Sequence, residues 1–196
     1  NELALHSDSM ASLQYAFNLY KQADHTNGIR IAAEKMFELD PNSMEIAMYL
    51  AQFKASSGKV KEAVELYNKA IQQGGDRASI NYTIAQLYQS SGNFSQARSY
   101  AEKALDARPG WAEPHILIGR LYASSGSQCG EGTGWESQVV VWAAIDEWKK
   151  VGDNAEAKKL IKQYEKFLPT SQEIFMKDGV SNGGKYFVPC WIKREA

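Results

Sequence analysis

The sequence is poor in the residues that build metal sites, covalent cross-links and membrane spans. Only two cysteines and three histidines occur among its 196 residues, and the histidines lack the spacing of metal ligands. No apolar run reaches the ~18 residues that a transmembrane helix needs. Basic and acidic side chains number 22 and 23, so the net charge of -1 offers no surplus that would attract nucleic acid or anionic lipid. We therefore expect no cofactor or metal, no transmembrane segment and no nucleic-acid partner.

What the chain has instead is a repeat with a period of 34 residues. Residues 44–75 align with residues 78–110, and small residues recur at the same places in both segments. The pairs that share this offset are Ala51 and Ala85, Gly58 and Gly92, Ala63 and Ala97, and Ala70 and Ala104. One step forward puts Gly119 at a small position and Gly126 at a turn, and one step backward covers residues 10–43. The sequence therefore predicts four copies of one structural unit.

Aromatic residues and prolines recur in the same register. They are Tyr20, Tyr88, Tyr122, Pro41 and Pro109. The second copy departs from this register, with Lys54 in place of the aromatic residue and Gly75 in place of the proline. In the first copy, Phe17 replaces the small residue and Asp24 replaces the turn glycine. In this pattern, residues 10–151 resemble the tetratricopeptide repeat family. That family has a small residue at about position 8, an aromatic near 11, a turn glycine near 15, alanines near 20 and 27 and a proline near 32. The resemblance implies an all-α fold, a right-handed superhelix of antiparallel helix pairs.

Apolar spacing within the second copy predicts helices independently of the resemblance. Ile46, Leu50 and Phe53 recur at i, i+4 and i+7, which places them on one face of a helix. Gly58, between the two helices, permits a left-handed turn. Small residues such as Ala85 let paired helices approach closely, and each pair then buries its apolar face against its neighbours.

The copies define the domain organisation that we expect. It comprises a lead-in at 1–9, a degenerate first repeat at 10–43, a second repeat at 44–77, a third at 78–111, a fourth at 112–156 with a 13-residue insertion between its helices, a capping helix at 153–168 and a tail at 169–196. Asp153 and Glu156 have capping-box spacing at the start of the capping helix, and Thr170 and Glu173 repeat that signal before a short helix.

The tail is expected to be irregular, with some β structure. "NGG" at 182–184 indicates a turn, and the apolar segment that follows contains Pro189 and is therefore at best an edge strand. We expect Tyr186, Phe187 and Trp191 to fold back onto the last helices. Four of the five tryptophans lie at or after residue 135, for which core packing is the expected reason and a ligand-stacking cluster the alternative.

The insertion, "GSQCGEGTGWESQ" at 126–138, permits three interpretations. A phosphate-binding loop would need a preceding strand and a following lysine, and the sequence has neither, while Glu131 would repel phosphate. A reactive cysteine would need a second cysteine or a histidine nearby, and His115 approaches Cys129 only through folding. The third interpretation, a flexible connection whose cysteine is buried or tied down, is the one we favour. Residues 135–151 are expected to form one long helix after it.

Cys129 and Cys190 both lie outside the regular repeats, near the end where a cap must close the array. We therefore expect a disulfide between them, which would close a loop of ~60 residues and stabilise the fold by roughly 4 kcal/mol. Such a bridge would indicate an oxidising compartment such as the periplasm. The alternative is two free buried thiols in a cytoplasmic protein.

The resemblance also implies a concave groove, lined by the first helix of each pair, that accepts a peptide or a helix of a partner protein. In this register the groove residues are Gln14, Asn18, Lys21, Met48, Gln52, Tyr82, Gln86, Gln89, Ile116 and Arg120. Amides suit hydrogen bonds to a peptide backbone, and Tyr and Met suit apolar anchors. The carboxylate clamp of chaperone-binding members is disfavoured, because only Asn18 matches it. The alternative is that these side chains are merely solvated.

These features favour a non-enzymatic protein–protein interaction scaffold. The tail, Cys129 and the aromatic helix at 135–151 resemble envelope-associated tetratricopeptide repeat proteins of Gram-negative bacteria. We therefore expect a periplasmic or otherwise extracytoplasmic protein that helps to assemble a larger envelope complex. One alternative is a thiol-dependent redox or catalytic module centred on Cys129 and attached to the repeats. Another is the end of a longer array whose partner site lies upstream.

Overall fold

Helices dominate the structure, a computed structural model that describes residues 9–131, 134–177, 180 and 184–196. In chain order the described elements are α1 (Met10–Gln22), α2 (Thr26–Leu39), α3 (Met44–Ser56), α4 (Val60–Gln72), α5 (Arg77–Ser90), α6 (Phe94–Ala107), α7 (Ala112–Ala123), α8 (Gly126–Cys129), α9 (Trp135–Lys149), α10 (Ala155–Tyr164) followed by a 3-10 turn (Glu165–Phe167), α11 (Ser171–Met176), β1 (Phe187–Val188) and β2 (Arg194–Glu195). The all-α fold class is confirmed. The predicted lead-in before residue 9 and most of the predicted turn at 182–184 lie outside the described residues.

The chain divides into two compact units, Asn1–Ile80 and Asn81–Ala196, with the boundary inside α5. In the first unit, α1 packs on α2, α2 on α3 and α3 on α4. Alanines that are fully buried at these contacts are Ala32, Ala33, Ala47, Ala51, Ala63 and Ala70. Larger side chains, such as Leu13 and Met36, fill the core around them. Small residues in the predicted repeat positions are therefore core residues.

Left-handed turns separate the helices of three pairs, and two of these turns contain glycine. Gly58, between α3 and α4, has a φ of 73°, and Gly92, between α5 and α6, has a φ of 75°. Residues with a Cβ rarely adopt this conformation, because the Cβ crowds the following carbonyl oxygen. Asp24, between α1 and α2, has a φ of 50°, and aspartate is among the few side chains that tolerate it. The turn expected at Asp24 is therefore confirmed.

In the second unit, α6 packs on α7, and α7 packs on α9 and α10. Tyr88 of α5 stacks on Tyr100 of α6, with ring centroids 5.6 Å apart. Between α7 and α9 the contact is so close that a Cβ built on Gly119 would overlap the indole of Trp148. Trp148 is fully buried, and its Nε1 donates a hydrogen bond to the Ile116 carbonyl at 3.1 Å. The glycine at this repeat position therefore makes room for the tryptophan.

The described part of the insertion is more ordered than the flexible connection that we expected. Gly126–Cys129 forms the short helix α8, which the sequence did not predict. Ser137 Oγ donates a hydrogen bond to the Gly126 carbonyl at 3.1 Å. A Cβ on Gly130 would overlap the start of α9, so the connection packs tightly against that helix. α9 itself ends at Lys149, slightly before the predicted end.

Two helix starts test the predicted capping signals. The Thr170 hydroxyl accepts a hydrogen bond from the Glu173 N–H, and the Glu173 carboxylate accepts one from the Thr170 N–H at 2.7 Å, so that capping box is confirmed. The cap predicted at Asp153 is wrong. Asn154 caps α10 instead, accepting from two backbone N–H groups at 3.0 Å each, and Asp153 forms an ion pair with Lys158 at 2.6 Å. The acidic side chain lies one residue too early to reach those groups.

The tail is held against the second unit by covalent and aromatic contacts. A disulfide joins Cys129 to Cys190, with their Cα atoms 5.4 Å apart. Trp191 packs against Tyr122 with ring centroids 5.6 Å apart, and its Nε1 donates to Ser125 Oγ at 3.0 Å. β1 and β2 then form a short antiparallel pair. The segment beside Cys190 is therefore fixed on α7 and the start of the insertion.

Of the three tail aromatics expected to fold back, two do so. Tyr186 contacts Trp135 and Trp142 of α9, with ring centroids 5.4 and 6.2 Å away, and Trp191 packs as described above. Phe187 was predicted wrongly, because its side chain is 56% exposed. In β1 successive side chains point to opposite faces, and Val188 takes the inward position.

Candidate partner-binding site

Five of the residues expected in the groove lie in the first unit. Gln14, Asn18 and Lys21 are exposed on α1, where the Gln14 amide donates a hydrogen bond to Asn18 Oδ1 at 3.4 Å. On α3, Gln52 is exposed and Met48 is half-buried. The first helices of the two pairs in this unit therefore present amide groups, one ammonium and one thioether.

The other five lie around a cleft of about 110 Å³ in the second unit. Tyr82, Gln86 and Gln89 come from α5, at a spacing that puts them on one helical face. Ile116 and Arg120 come from α7, four residues apart on one face of that helix. Ile116 is only 6% exposed, so it forms part of the floor rather than an open anchor.

The Tyr82 ring lines one side of this groove cleft, and a second aromatic ring packs against it. The Tyr82 ring contacts Trp111, with ring centroids 4.9 Å apart, and the Arg108 guanidinium lies 4.6 Å from the Trp111 ring centroid. Burial raises the pKa of the Tyr82 hydroxyl, and the negative charge of Glu113 adds to the rise. Tyr82 therefore stays protonated at neutral pH and offers a hydroxyl and a ring face rather than a charge.

An ion pair closes the groove cleft on another side. Arg120 Nη2 lies 2.5 Å from Glu156 Oε1, and the two side chains are 49% and 51% exposed. Exposed pairs of this kind contribute only ~0–1 kcal/mol, because water and salt screen them. The pair can therefore be exchanged for contacts with a bound partner at little energetic cost.

Sequence reasoning missed three residues of the groove cleft, namely Glu113, Leu117 and Glu156. Glu113 stands at the second position of the fourth copy, which the repeat register assigns to the groove, so that signal was present. Glu156 comes from α10, whose start the insertion displaces from the repeat spacing. Leu117 lies beside Ile116 on α7 and is only 4% exposed, so it belongs to the floor of the cleft.

The groups of the groove cleft suit a polypeptide ligand. Gln86 and Gln89 can each donate to and accept from a peptide backbone. Tyr82 supplies an apolar face with a polar edge, and Arg120 and Glu156 supply one charge of each sign. Within the described residues, no cluster of three or more His, Cys, Asp or Glu side chains is arranged to hold a metal ion. The helices described include none with the length and apolar character needed to cross a bilayer.

A buried carboxylate links the tail to α7 and α9. Glu147 is 2% exposed, and His115 Nδ1 lies 2.6 Å from its Oε1. Lys150 Nζ and Arg194 Nη1 lie 2.7 and 2.8 Å from its Oε2. Burial alone raises the pKa of Glu147, but the hydrogen bonds and the cationic charges outweigh burial and lower that pKa to about 2. Sequence reasoning did not find this group, because its members are far apart along the chain.

The Glu147 carboxylate should make stability fall in acid. Its pKa is about 2 in the folded protein against 4.5 ordinarily, so its contribution is complete above pH 4.5 and is lost as the pH falls toward 2. Glu147→Gln should lower the free energy of unfolding by about 3–5 kcal/mol at neutral pH, since it leaves cations without their partner. Urea unfolding of both proteins at a series of pH values measures this difference.

The difference between the two proteins should shrink as the pH falls below 4.5. A difference that stays constant down to low pH would show that the carboxylate charge is not the cause. Glu102→Gln, which changes a carboxylate that is 54% exposed, serves as the control and should change the free energy by less than about 1 kcal/mol.

Comparisons with known proteins agree with this architecture. Residues 43–110 match the tetratricopeptide repeat family. No curated protein matches the sequence significantly. A crystal structure of MamA is 20% identical with a TM-score of 0.58, covering 83% of this chain and 85% of that one. The C-terminal part of a TPR repeat-containing protein from Cytophaga hutchinsonii is 15% identical with a TM-score of 0.56, covering 83% and 64%.

A third similar structure is that of pilF from Pseudomonas aeruginosa, which is 13% identical with a TM-score of 0.52 and covers 87% of this chain and 82% of that one. Likeness at such low identity concerns the fold alone. The matched family and the helix pairs described above agree with the repeat register read from the sequence. The chain has the tetratricopeptide repeat fold, and its residues 43–110 match the model of the tetratricopeptide repeat family.

Proposed function

We propose that this protein is a non-enzymatic interaction scaffold, which holds a peptide or a helix of a partner protein on the exposed faces of the first helices within each of its two units. The observation that carries the proposal is the groove cleft of the second unit, where Tyr82, Gln86, Gln89 and Arg120 converge from two first helices. These four side chains offer a ring, two amides and a guanidinium within one concave site. That combination suits a polypeptide better than a small apolar ligand.

A bound segment would gain contacts that water does not reproduce. Its backbone would exchange hydrogen bonds with the amides of Gln86 and Gln89, and an apolar side chain would lie on the Tyr82 ring. An acidic group on the partner would compete with Glu156 for Arg120. Because that ion pair is half-exposed, breaking it opposes binding only weakly.

The first unit offers a related surface on α1 and α3. Gln14, Asn18 and Gln52 are exposed amides there, and Met48 provides a flexible apolar contact. A helix or an extended peptide meets the same chemistry on this unit as in the groove cleft. We therefore assign partner binding to both first-helix faces.

The compartment that we propose is extracytoplasmic, such as a bacterial periplasm, and the role is assembly of a larger envelope complex. Support for the compartment comes from the disulfide between Cys129 and Cys190, since structural disulfides persist in oxidising environments. The alternative of a thiol-dependent catalyst finds no support here. Both sulfurs are in the disulfide, and His115 is engaged with Glu147 rather than with Cys129.

A groove variant tests the binding proposal. Gln52→Ala, Gln86→Ala and Arg120→Ala together remove three exposed polar groups from first helices without touching the core. Recovery of partners cross-linked in the native host and captured on the protein should fall roughly tenfold, because such polar contacts near the centre of an interface carry much of its binding free energy. Quantitative mass spectrometry of the captured proteins gives the measurement.

A matched variant on second helices is the control. Gln72→Ala, Gln96→Ala and Lys103→Ala remove similar exposed groups from α4 and α6 and should leave recovery unchanged. Equal recovery with both triple variants would reject the first-helix face as the partner site.

Thiol counting tests the proposed compartment. Protein isolated from its host without reductant should show no reactive thiol, either native or unfolded in guanidinium, and two after reduction, because both cysteines are paired. Cys129→Ser with Cys190→Ser should lower the free energy of unfolding by about 2–4 kcal/mol, since the bridge restrains a long loop of the unfolded chain. Two thiols in the unreduced, unfolded protein would contradict the oxidising compartment.

A further inference from the structure

A second cleft, which we call the tail cleft, lies where the tail meets α6, α7 and α9. Its volume is about 330 Å³. Its charged members are the cations Arg98, Lys150, Lys193 and Arg194 and the carboxylates of Glu102 and Glu147. Four cations against two carboxylates leave a local charge of +2 with His115 neutral, on a chain whose net charge is -1. The tail cleft is therefore a positive site on a slightly acidic protein.

The two carboxylates do not neutralise the tail cleft. Glu147 is buried, and its charge is already matched by Lys150 and Arg194, at 2.7 and 2.8 Å. Glu102 is 54% exposed and lies 3.7 Å from Arg98 Nε, so it is solvated at the rim. Each lysine has three donors and each arginine five, so further acceptors can be bound.

The cations are held in place before any ligand arrives. Arg98 Nη1 donates to the Ile192 carbonyl at 2.6 Å, and its guanidinium lies 5.3 Å from the Trp191 ring centroid. Arg194 Nη1 donates to the Tyr122 hydroxyl at 3.1 Å as well as to Glu147. Groups fixed in this way lose little conformational freedom on binding, which favours affinity.

Lys193 differs from the other three cations. Its side chain is exposed, and no ion pair of Lys193 occurs among the described residues. Its backbone has a φ of 46°, a conformation that costs roughly 1–2 kcal/mol for a residue with a Cβ. Non-glycine residues in strained conformations cluster at functional sites. Lys193 therefore adds to the tail cleft a charge that no described carboxylate pairs with.

We infer that the tail cleft binds the carboxylates of an acidic peptide segment of a partner protein. The surplus of two positive charges matches two neighbouring acidic side chains. The resident Glu147 shows that two of the cations, Lys150 and Arg194, already accommodate a carboxylate. The volume is much larger than one free anion fills, which favours a peptide. The site is separate from the groove cleft, since the two share no lining residue.

The test uses a fluorescein-labelled tetraglutamate peptide, with tetraglutamine as the neutral control, and measures fluorescence anisotropy with the whole oxidised chain. Tetraglutamate should bind and tetraglutamine should not, and binding should weaken between about 0.05 M and 0.3 M salt as screening increases. Lys193→Glu should weaken tetraglutamate binding about tenfold or more, because it reverses the unpaired charge. The backbone cost at residue 193 is the same for both side chains, so this variant should fold normally.

Lys159→Glu is the matched control, because Lys159 is an exposed lysine of α10 without an ion pair among the described residues. Its affinity for tetraglutamate should stay within about twofold of the parent protein. Reduction of the disulfide should weaken binding as Lys193→Glu does, since it frees the segment that carries Lys193 and Arg194.

Three outcomes would overturn the inference. Equal weakening by Lys193→Glu and Lys159→Glu would show nonspecific attraction. Displacement of the peptide by inorganic phosphate or glutarate, at the same concentration as unlabelled tetraglutamate, would show a site for small anions. Absence of binding at about 1 mM protein would show that the charge surplus is not used for peptide recognition.

Discussion

The close approach of paired helices through small side chains is the constraint on which the rest of this structure depends. Ala51, Ala63 and Ala70 in the first unit, all fully buried, and Gly119 against Trp148 in the second occupy the predicted repeat positions. Side chains of this size let the backbones come together, so larger neighbours fill the remaining space at normal packing density. The first helices are thereby fixed in place, and they carry the amides and the tyrosine that we propose for partner binding.

The end of the chain is held by a different set of interactions. The disulfide at Cys190, the Trp191 contacts and the Glu147 ion network all fasten the tail to α7, α9 and the insertion. Buried ion pairs are expensive to desolvate, and this one is satisfied by three partners at 2.6 to 2.8 Å. The same arrangement gathers the cations of the tail cleft, so closure of the helix array and formation of that cleft share one cause.

The periodic part of the fold was predictable, because a repeat must place equivalent residues in equivalent surroundings. The turn at Asp24 and the capping box at Thr170 followed from local rules that hold wherever the chain lies. The cap at Asn154 was missed by one residue, since spacing alone does not decide which side chain reaches the free N–H groups. The tail cleft and the Glu147 network were out of reach, because tertiary contacts between distant segments have no local sequence signal.

The most direct measurement of the central claim is the sign of the stability change on Gly119→Ala, from guanidinium unfolding. At a solvent-exposed position of a helix, replacing glycine by alanine would raise the free energy of unfolding by roughly 0.5–1 kcal/mol. The account predicts a loss of about 1–3 kcal/mol instead, because the new methyl group overlaps the Trp148 indole, with partial recovery when Trp148→Phe is added. A stabilised Gly119→Ala protein would contradict the close approach of these helices.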